Sequence, residues 1–409
     1  MLAGMLAMPR TLRWLVVVVT TAFAMSTSAL SAGPDSYVVE TVLLDLRVTT
    51  LPAPAPASAG LGGAITVVGK EVLVVDHRGV VLTLRGEQLS PSRVQVPDDG
   101  HAEYRAKADG KYWELPNEPR WQRFTDLLFF DDGRHAGLAV VFIKWFDDRD
   151  CYANVVAVAD LPVGTSEVGD LSLAASDWRE IFVSQPCQTL QPSRPGLKGA
   201  TMGGRLAYLG DGRFALSSGE ATDRAYAQRD DVDYGRILEI GLDGGPARTI
   251  AKGLRNPQGL LLDSASRLWT VVHGPHGGDE LNLVREGVNF GWPLAAYGVE
   301  YGREPIASVP RTGRHDGFLA PVFAWLPSIA PSSLMRLQGF HAAWDGDLLV
   351  GALAAEALYR LRLEGERVVY VETIRMATRV RDVEQLADGR LLVWTDAAEL
   401  MILTPAASP

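Results

Sequence analysis

The chain has 409 residues, of which 47% are hydrophobic and 22% are charged, so it can bury a large core and intrinsic disorder is excluded for most of it. Lys and Arg number 39 against 49 Asp and Glu, which gives a net charge of −10 and excludes the basic surface that a nucleic-acid partner requires. All-β folds often exceed the usual domain size, so this length is compatible with a single domain.

The N-terminus has the layout of a secretory signal peptide. Arg10 and Arg13 precede an apolar run at 14–25, and small and polar residues follow at 26–32. The apolar run is about 12 residues long, whereas roughly 20 are needed to span a bilayer, and no later run is long enough. We therefore expect residues 1–32 to be a signal peptide, the mature chain to have no membrane span, and the protein to be secreted or periplasmic.

Residues 33–60 form a Pro- and Ala-rich N-terminal segment. Its second part, LPAPAPASAG at 51–60, is too rich in Pro to hold a sheet ladder and predicts a surface strap or linker.

Six similar units follow, each with a Gly-containing turn and then a short apolar, β-branched run. They lie at 68–79, 131–144, 210–220, 264–274, 344–354 and 387–397. Each interval can hold one four-stranded blade with its loops, so we predict an all-β fold, a six-bladed β-propeller. The propeller domain is assigned to 61–409, and we expect residues from about 36 to 409 to form one closed ring. A two-sheet sandwich, which also contains Asp-Gly turns, is the alternative.

In a propeller, the residues just after equivalent strands gather near one mouth of the central channel. Here those residues are His77, Glu220, His273, Ala354 and Asp396. A mouth lined by polar groups predicts a ligand site. The alternative is that these side chains only cap strands and hydrogen-bond the loops.

The chain has two cysteines, Cys151 and Cys187. In an exported protein the simple interpretation is one structural disulfide, because oxidising compartments pair thiols. Two buried free thiols are the alternative.

A polar cluster surrounds Pro257. Arg255, Asn256 and Gln258 lie within four residues just before an apolar run, so a rigid turn presents a guanidinium and two amides together. Such a cluster suits a flat ligand rich in carboxylates and carbonyls. The alternative is an Arg and an Asn that cap the turn.

The next loop, HGPHGGDE at 273–280, is rich in Gly and ends in paired carboxylates. Backbone carbonyls together with adjacent Asp and Glu are the donors that Ca²⁺ prefers. His273 and His276 could instead indicate zinc, but no third His or Cys lies close by in the sequence.

Three motifs closely resemble the glucose/sorbosone dehydrogenase family, the soluble aldose sugar dehydrogenases that use pyrroloquinoline quinone. They are GLRNPQGL at 253–260, HGPHGGDELN at 273–282 and GVNFGWP at 287–293. Weaker similarity extends to GGRLAYLGDGR at 203–213, WLPSIAPSS at 325–333, WDGDLLVGAL at 344–353 and RVRDV at 379–383. The resemblance implies a six-bladed propeller that holds the quinone and a Ca²⁺ ion in its mouth.

The resemblance also implies roles for individual residues. The cofactor contacts would be Arg255, Asn256, Gln258, Ser328, Arg379 and Arg381. The main-chain carbonyls of Gly274 and Pro275 would bind the catalytic Ca²⁺. The acidic pair Asp279 and Glu280, with Phe290, would serve a second, structural Ca²⁺.

Two residues depart from the family pattern. Thr201 stands where the family has its general-base His, and Ala354 stands where a Lys binds the quinone. Glu220 matches the acid that orients this His, and it could itself be the base if burial raises its pKa. His273 is a second candidate base. We therefore group Thr201, Glu220 and Arg255 as the catalytic positions.

These observations favour an exported, quinone-dependent dehydrogenase that oxidises a small substrate, expected to be a sugar, with an unidentified electron acceptor. A non-catalytic propeller that binds a sugar or a protein is the alternative, supported by Thr201 and Ala354. A third class is a hydrolase or lactonase with a metal ion in the channel.

Overall fold

The computed structural model describes residues 35–108, 122–190, 199–221 and 223–406. The predicted signal peptide at 1–32 lies outside these residues. Within them strands dominate, and no helix is long and apolar enough to cross a membrane. The described strands form six large sheets of four or five strands, which confirms the predicted all-β, six-bladed propeller.

The first three blades are listed here from the channel outward. Blade 1 contains Gly63–Val68, Glu71–Asp76, Val81–Arg85 and Gln88–Pro91. Blade 2 contains Phe124–Asp131, Ala136–Phe146, Cys151–Asp160 and Arg179–Val183, with the short strand Gln188–Thr189 paired to the third of these. Blade 3 contains Gly203–Gly210, Arg213–Ser218, Arg236–Gly241, Arg248–Lys252 and the short parallel strand Val288–Asn289.

The other three blades complete the ring. Blade 4 contains Pro257–Leu262, Leu268–Val272, Asp279–Val284 and Phe323–Trp325. Blade 5 contains Pro331–Arg336, Leu348–Ala352, Ala357–Glu364 and Arg367–Arg375. Blade 6 contains Val380–Gln385, Leu391–Thr395, Glu399–Pro405, Leu46–Pro52 and Asp35–Val39.

A few short elements lie outside the blades. The described residues contain one α-helix, His101–Ala108, and the 3₁₀ turns Ala175–Asp177, Gly199–Thr201 and Arg224–Gln228. Arg93–Val94 pairs in parallel with Ser172–Leu173.

Each of the six sequence units spans the second strand of one blade and the turn before it. The turn of blade 3 shows why Gly recurs there: Asp211 and Gly212 both have positive φ, at 50° and 68°. This pair of left-handed residues is what a tight two-residue hairpin requires. The apolar run after the turn is buried because its side chains pack against adjacent blades: Phe214 and Leu216 against blade 2, and Ala215 against blade 4.

The N-terminal strand Leu46–Pro52 closes the ring by pairing antiparallel with the C-terminal strand Glu399–Pro405. The ladder includes Leu51 opposite Leu400 and Pro52 opposite Glu399. The expectation that LPAPAPASAG holds no ladder is therefore wrong for its first two residues. Pro52 is tolerated because it ends the strand, where a missing N–H group costs little.

Six apolar clusters of the core lie between the blades, one for each adjacent pair, and two smaller clusters, around Tyr104 and Trp292, add to them. Leu73 of blade 1 and Val140 of blade 2, for example, belong to the cluster between these two blades, and both are fully buried. Adjacent innermost strands contact one another in a closed circle. Burial between blades therefore holds the innermost strands at fixed positions around the channel.

Two aspartates pin neighbouring innermost strands together. Asp126 of blade 2 accepts a hydrogen bond from Leu206 N of blade 3, at 2.6 Å. Asp382 of blade 6 accepts one from Ile65 N of blade 1, at 2.8 Å. These charge-assisted bonds are among the stronger ones in proteins, so they fix the strand starts that carry the site.

The predicted disulfide is confirmed. Cys151, at the start of the third strand of blade 2, is bonded to Cys187, with their Cα atoms 5.7 Å apart. The described residues contain no free cysteine.

Candidate active site

The candidate site lies at the mouth of the channel where innermost strands begin and second strands end. The predicted mouth residues follow the second strands of five blades; they are His77, Glu220, His273, Ala354 and Asp396. Antiparallel pairing places these positions beside the starts of the innermost strands, where Asn256 and Arg379 lie. The prediction that they share one end of the channel is therefore confirmed.

Asp396 holds both arginines of the RVRD motif. Arg379 Nε lies 2.8 Å from Asp396 Oδ2, and Arg381 donates to both carboxylate oxygens at 2.8 and 3.1 Å. Arg381 is buried, whereas the Arg379 side chain is 40% exposed. One carboxylate thus balances one of two guanidinium charges, which leaves this part of the mouth positive.

Sequence reasoning missed a third arginine at the mouth. Arg123 directly precedes the innermost strand of blade 2, as Arg379 does in blade 6, and it is buried. Its Nη1 donates to Leu61 O at 2.9 Å. Burial and repulsion by Arg381 lower the pKa of Arg123 to about 9. The equivalence of strand starts was the signal that could have found it.

Glu220 is a buried carboxylate held from two sides. Its Oε2 accepts a hydrogen bond from the Trp292 indole N–H, and its Oε1 lies 3.7 Å from Arg255 Nε. Burial raises the pKa of Glu220, while Arg255 and the Trp292 hydrogen bond act in the opposite direction. The result is a fixed carboxyl group that accepts protons more readily than an exposed glutamate.

Arg255 connects Glu220 to the Gly-rich loop. Its Nη1 donates to Gly274 O at 2.8 Å, and its Nη2 lies 3.3 Å from the Tyr301 hydroxyl. The guanidinium also lies 5.7 Å from the centre of the Trp292 ring. Arg255 therefore contacts both the candidate base and one of the predicted calcium-binding carbonyls.

Asn256 and Gln258 are buried beside each other in the wall of the mouth. Asn256 Oδ1 accepts from Gly203 N at 3.1 Å and from Gln258 Nε2 at 3.0 Å. Asn256 Nδ2 points to Ala200 O at 3.4 Å. The two amides thus connect the start of blade 4 to the start of blade 3.

Thr201 and Ala354 occupy the places expected from the sequence but offer little chemistry. The Thr201 hydroxyl donates to Ala221 O, and Thr201 O accepts from Ala221 N at 3.0 Å. Ala354 is exposed at the end of its strand, and its N–H bonds to Ile329 O at 3.0 Å. Neither residue supplies a proton acceptor or a cation.

His273 is poorly suited to be a base. Its Nε2 lies 2.8 Å from Pro331 O, which can only accept, so Nε2 carries the hydrogen. Its Nδ1 faces the Asn256 amide nitrogen at 3.5 Å. Burial lowers the pKa of His273 to about 4, with Arg255 contributing. The imidazole is thus neutral and engaged at both nitrogens.

Asp279 organises the Gly-rich loop. Its carboxylate accepts from Gly274 N at 2.8 Å, from Ser328 Oγ at 3.0 Å, and from Ile329 N and Ala330 N at 2.7 Å each. Ser328 Oγ also accepts from Gly277 N at 2.8 Å. Asp279 and Ser328 therefore join the loop at 273–280 to the segment before blade 5.

The other predicted metal ligands surround a small cavity of about 20 Å³. Its lining includes Gly274, Pro275, Glu280 and Phe290. This volume is enough for one water molecule or one ion. The rest of the lining is largely apolar and includes Arg255, so the oxygen donors that Ca²⁺ accepts come only from Glu280 and from backbone carbonyls such as those of Gly274 and Pro275.

Glu280 already has two protein partners. Its Oε2 accepts from Asn282 Nδ2 at 3.0 Å, and its Oε1 lies 3.3 Å from Nε2 of the buried His315. Among the described residues, no three His, Cys, Asp or Glu side chains form a metal-binding cluster. A metal ion at this loop would therefore have to be bound mainly by backbone carbonyls.

A larger cavity, of about 610 Å³, lies at the opposite end of the channel. All six innermost strands line it, and its charged residues include Asp126, Arg205 and Glu384. None of the predicted site residues lines it.

Comparison with known proteins agrees with the sequence motifs. A family model described as Glucose / Sorbosone dehydrogenase matches residues 157–404. The chain is 28% identical to an aldose sugar dehydrogenase of Escherichia coli K12, YliI, over 81% of this chain and 88% of that protein. It is 35% identical to an uncharacterised protein of Synechocystis, over 54% of this chain, and spans 58% of that relative's length.

Solved structures share the fold. The soluble aldose sugar dehydrogenase of E. coli, in its apo form, superposes with a TM-score of 0.69 at 24% identity, over 88% of this chain and all of the other. The aldose sugar dehydrogenase of Streptomyces coelicolor, solved with pyrroloquinoline quinone bound, gives a TM-score of 0.60 at 18% identity, over 87% of this chain and 98% of the other.

Proposed function

The chain belongs to the glucose/sorbosone dehydrogenase family, and we propose that it oxidises a sugar, or a related hydroxyl substrate, by hydride transfer to pyrroloquinoline quinone with the assistance of calcium. The observation that carries this proposal is the juxtaposition of arginines and a buried carboxylate at one mouth of the channel. The arginines suit a quinone that carries three carboxylates, and the buried carboxylate suits removal of a proton from a hydroxyl group.

The arginines fit the charge of the cofactor. Arg379 and Arg381 share one carboxylate, Arg123 adds positive charge nearby, and Arg255 lies across the mouth beside Glu220. Guanidinium groups pair with carboxylates through charge-assisted, often two-pronged hydrogen bonds. We infer that Arg379 and Arg381 hold the carboxylates of the cofactor and that Arg255 approaches the reacting end.

Glu220 takes the place of the missing histidine in this proposal. A substrate hydroxyl at the mouth loses its proton to a Glu220 oxygen as the carbon–hydrogen bond breaks. Trp292 and Arg255 keep the carboxylate in one orientation, so it does not have to reorganise during the reaction. A bound quinone would supply the acceptor for the hydride, and calcium would supply the positive charge that polarises that acceptor.

Calcium would be held by the loop at 273–280. Gly274, Pro275, Glu280 and Phe290 line the ion-sized cavity, and the backbone carbonyls of the first two would be the ligands. Asp279 supports this arrangement indirectly, because its four hydrogen bonds fix the loop backbone. Arg255 now donates to Gly274 O, so cation binding and the position of Arg255 are coupled.

The signal peptide predicted at 1–32 supports a secreted or periplasmic location. We propose that the electrons then pass to an external acceptor, whose identity the site does not specify.

The test is whether purified protein, mixed with calcium and pyrroloquinoline quinone, acquires the absorption spectrum of the bound quinone and then reduces a dye when a sugar is added. Calcium without the quinone is the control. A bound spectrum with sugar-dependent dye reduction supports the proposal. Absence of any bound spectrum contradicts it.

A non-catalytic propeller that binds a sugar or a protein is the second candidate. The observation in its favour is that the Thr201 hydroxyl is used in a backbone hydrogen bond and Ala354 offers no cation. It predicts sugar binding in calorimetry without dye reduction, even when the quinone is bound.

A further inference from the structure

The cavity of about 610 Å³ at the end of the channel opposite the mouth has no part in the proposed function. Its rim includes the exposed residues Ser264, Gln338 and Ala387, so the cavity is open to solvent. Cavities that bind small molecules commonly have volumes of about 300–1,000 Å³. This cavity is therefore large enough for a small organic ligand and much larger than a single ion requires.

Four of the five charged side chains that line the cavity balance one another. Arg205 Nη1 lies 3.5 Å from Asp126, and Arg336 Nη2 lies 3.2 Å from Asp263. Both carboxylates also accept backbone hydrogen bonds, at 2.6 and 3.0 Å for Asp126 and at 2.9 and 3.0 Å for Asp263. These two aspartates therefore have little capacity left for a ligand.

Glu384 is the fifth charged side chain of the lining, and its charge is not balanced. Among the described residues, no cationic side chain forms an ion pair with it and no side chain donates a hydrogen bond to it. Burial, together with repulsion by Asp382 and Asp126, raises the pKa of Glu384 to about 8, and the more distant charge of Arg205 opposes this rise. When Glu384 is ionised, it presents an unpaired negative charge to the cavity.

The wall of the cavity also contains apolar side chains that are partly exposed. They are Leu128, Tyr208, Leu261 and Leu262. A ligand with an apolar body would remove these surfaces from water, which is favourable in proportion to the apolar area that is buried.

The charges of the lining favour a ligand with a single positive charge. One unpaired carboxylate matches one ammonium group, which can donate three hydrogen bonds. A divalent metal ion would need several oxygen ligands, and the described residues contain no cluster of three His, Cys, Asp or Glu side chains that could hold one.

We propose that this cavity is a second ligand site, which binds a small organic amine with its ammonium group on Glu384 and its apolar body against the leucines of the wall. The proposal is independent of the proposed function, because none of the mouth residues lines this cavity.

The experiment is calorimetric titration of the purified protein with 2-phenylethylamine and with 2-phenylethanol, an uncharged molecule of similar size. A pH of about 8.5 keeps the primary amine protonated and most of Glu384 ionised. We expect the amine to bind about tenfold or more tightly than the alcohol, because only the amine forms a charge-assisted hydrogen bond with the carboxylate.

Glu384→Gln should weaken amine binding about tenfold or more and leave binding of the alcohol unchanged. Glu364→Gln, which changes an exposed carboxylate on blade 5, is the matched control and should bind both molecules as the unmodified protein does. At about pH 7 the amine should displace a proton from Glu384, so the measured heat should depend on the ionisation heat of the buffer, and Glu384→Gln should abolish this dependence.

Three results overturn the inference: no binding of the amine, equal affinities for the amine and the alcohol, or an unchanged affinity for the amine in Glu384→Gln. Melting curves of the variants exclude misfolding as the cause of lost binding. Since the titration uses neither quinone nor sugar, its outcome is separate from the test of the proposed function.

Discussion

The pKa of Glu220 is set by burial on one side and by two neighbours, Arg255 and Trp292, on the other. Burial raises its pKa, and Arg255 and Trp292 restrain that rise. A base works only when deprotonated, so turnover should increase with pH through a pKa above that of an ordinary glutamate and then level off.

We predict that Glu220→Gln lowers kcat by about 10²–10⁴-fold, the usual contribution of a general base, and removes this pH dependence. The amide oxygen can still accept from Trp292, so quinone binding measured by absorption should persist. Glu180→Gln is the control, because Glu180 lies on the outer strand of blade 2, where it pairs with Lys144 of the second strand. A Glu220→Gln variant with unchanged kcat would show that another group removes the proton.

Thr201 and Ala354 can be tested together. We predict that Thr201→His with Ala354→Lys increases sugar oxidation, since the imidazole supplies a base beside Glu220 and the lysine supplies a cation at an exposed strand end. The rate of dye reduction and the affinity for the quinone measure the two effects separately. Robust oxidation by the unmodified protein, with no gain in the double variant, would contradict this prediction.

These residues also show how far sequence reasoning reached. The departures at Thr201 and Ala354 could be read from the sequence, because each lies beside a motif that resembles the family, at 203–213 and 344–353. The Trp292 contact could not, because 72 residues separate Trp292 from Glu220 and only the packing of blades 3 and 4 brings them together. Arg123 was missed for a related reason: its neighbours at the mouth lie in another blade.

At the scale of elements, the loop at 273–280 depends on Asp279 for its shape, and in the proposed function its backbone carbonyls bind calcium. We predict that Ca²⁺ raises the melting temperature, because an ion that binds only the native state stabilises it. Glu280→Gln should reduce this increase, since it removes the carboxylate that borders the ion-sized cavity. Differential scanning fluorimetry with added Ca²⁺ or a chelator measures both effects.

Glu286→Gln is the matched control, because Glu286 lies on the same blade but is exposed and pairs with Arg248. A melting curve that does not respond to Ca²⁺ or to chelator would mean that the loop is stable without a metal ion.

The strands themselves were only partly predictable. The turn and second strand of every blade were visible because a tight turn and a buried apolar run leave a local signal. The closing strand at 46–52 left a weaker signal, since its partner at 399–405 is at the other end of the chain and its last two residues belong to a Pro-rich stretch. Closure is a long-range pairing, and local patterns do not report it.

On the scale of the whole molecule, charge is distributed unevenly. The net charge is −10, yet at one mouth of the channel Arg123, Arg379 and Arg381 surround the single carboxylate of Asp396, whereas the opposite end is lined by three acidic residues and two arginines. Fields inside a narrow, low-dielectric channel are screened less than those on the surface. The cofactor of the proposed function, which is anionic, would therefore be attracted to these arginines despite the overall acidity of the protein.

The acidic end makes folding stability depend on pH. Burial raises the pKa of Asp126 to about 6. The charge of Arg205 lowers this pKa, and the charge of Asp382 raises it further. Burial and repulsion by Asp382 raise the pKa of Glu384 to about 8. At pH values between the ordinary pKa of each group and its raised pKa, the folded state binds more protons than the unfolded state. The free energy of unfolding should therefore fall as pH rises from about 5 to about 8 and then level off.

Glu384→Gln should remove the larger part of this dependence, because a neutral amide keeps the shape of the side chain without its charge. We expect urea midpoints of the variant and the unmodified protein to agree near pH 5 and the variant to become the more stable one by pH 9. Glu364→Gln, an exposed change on blade 5, should give no such divergence. A constant difference across pH would mean that Glu384 stays ionised in the folded protein, so that Arg205 outweighs both burial and the neighbouring carboxylates.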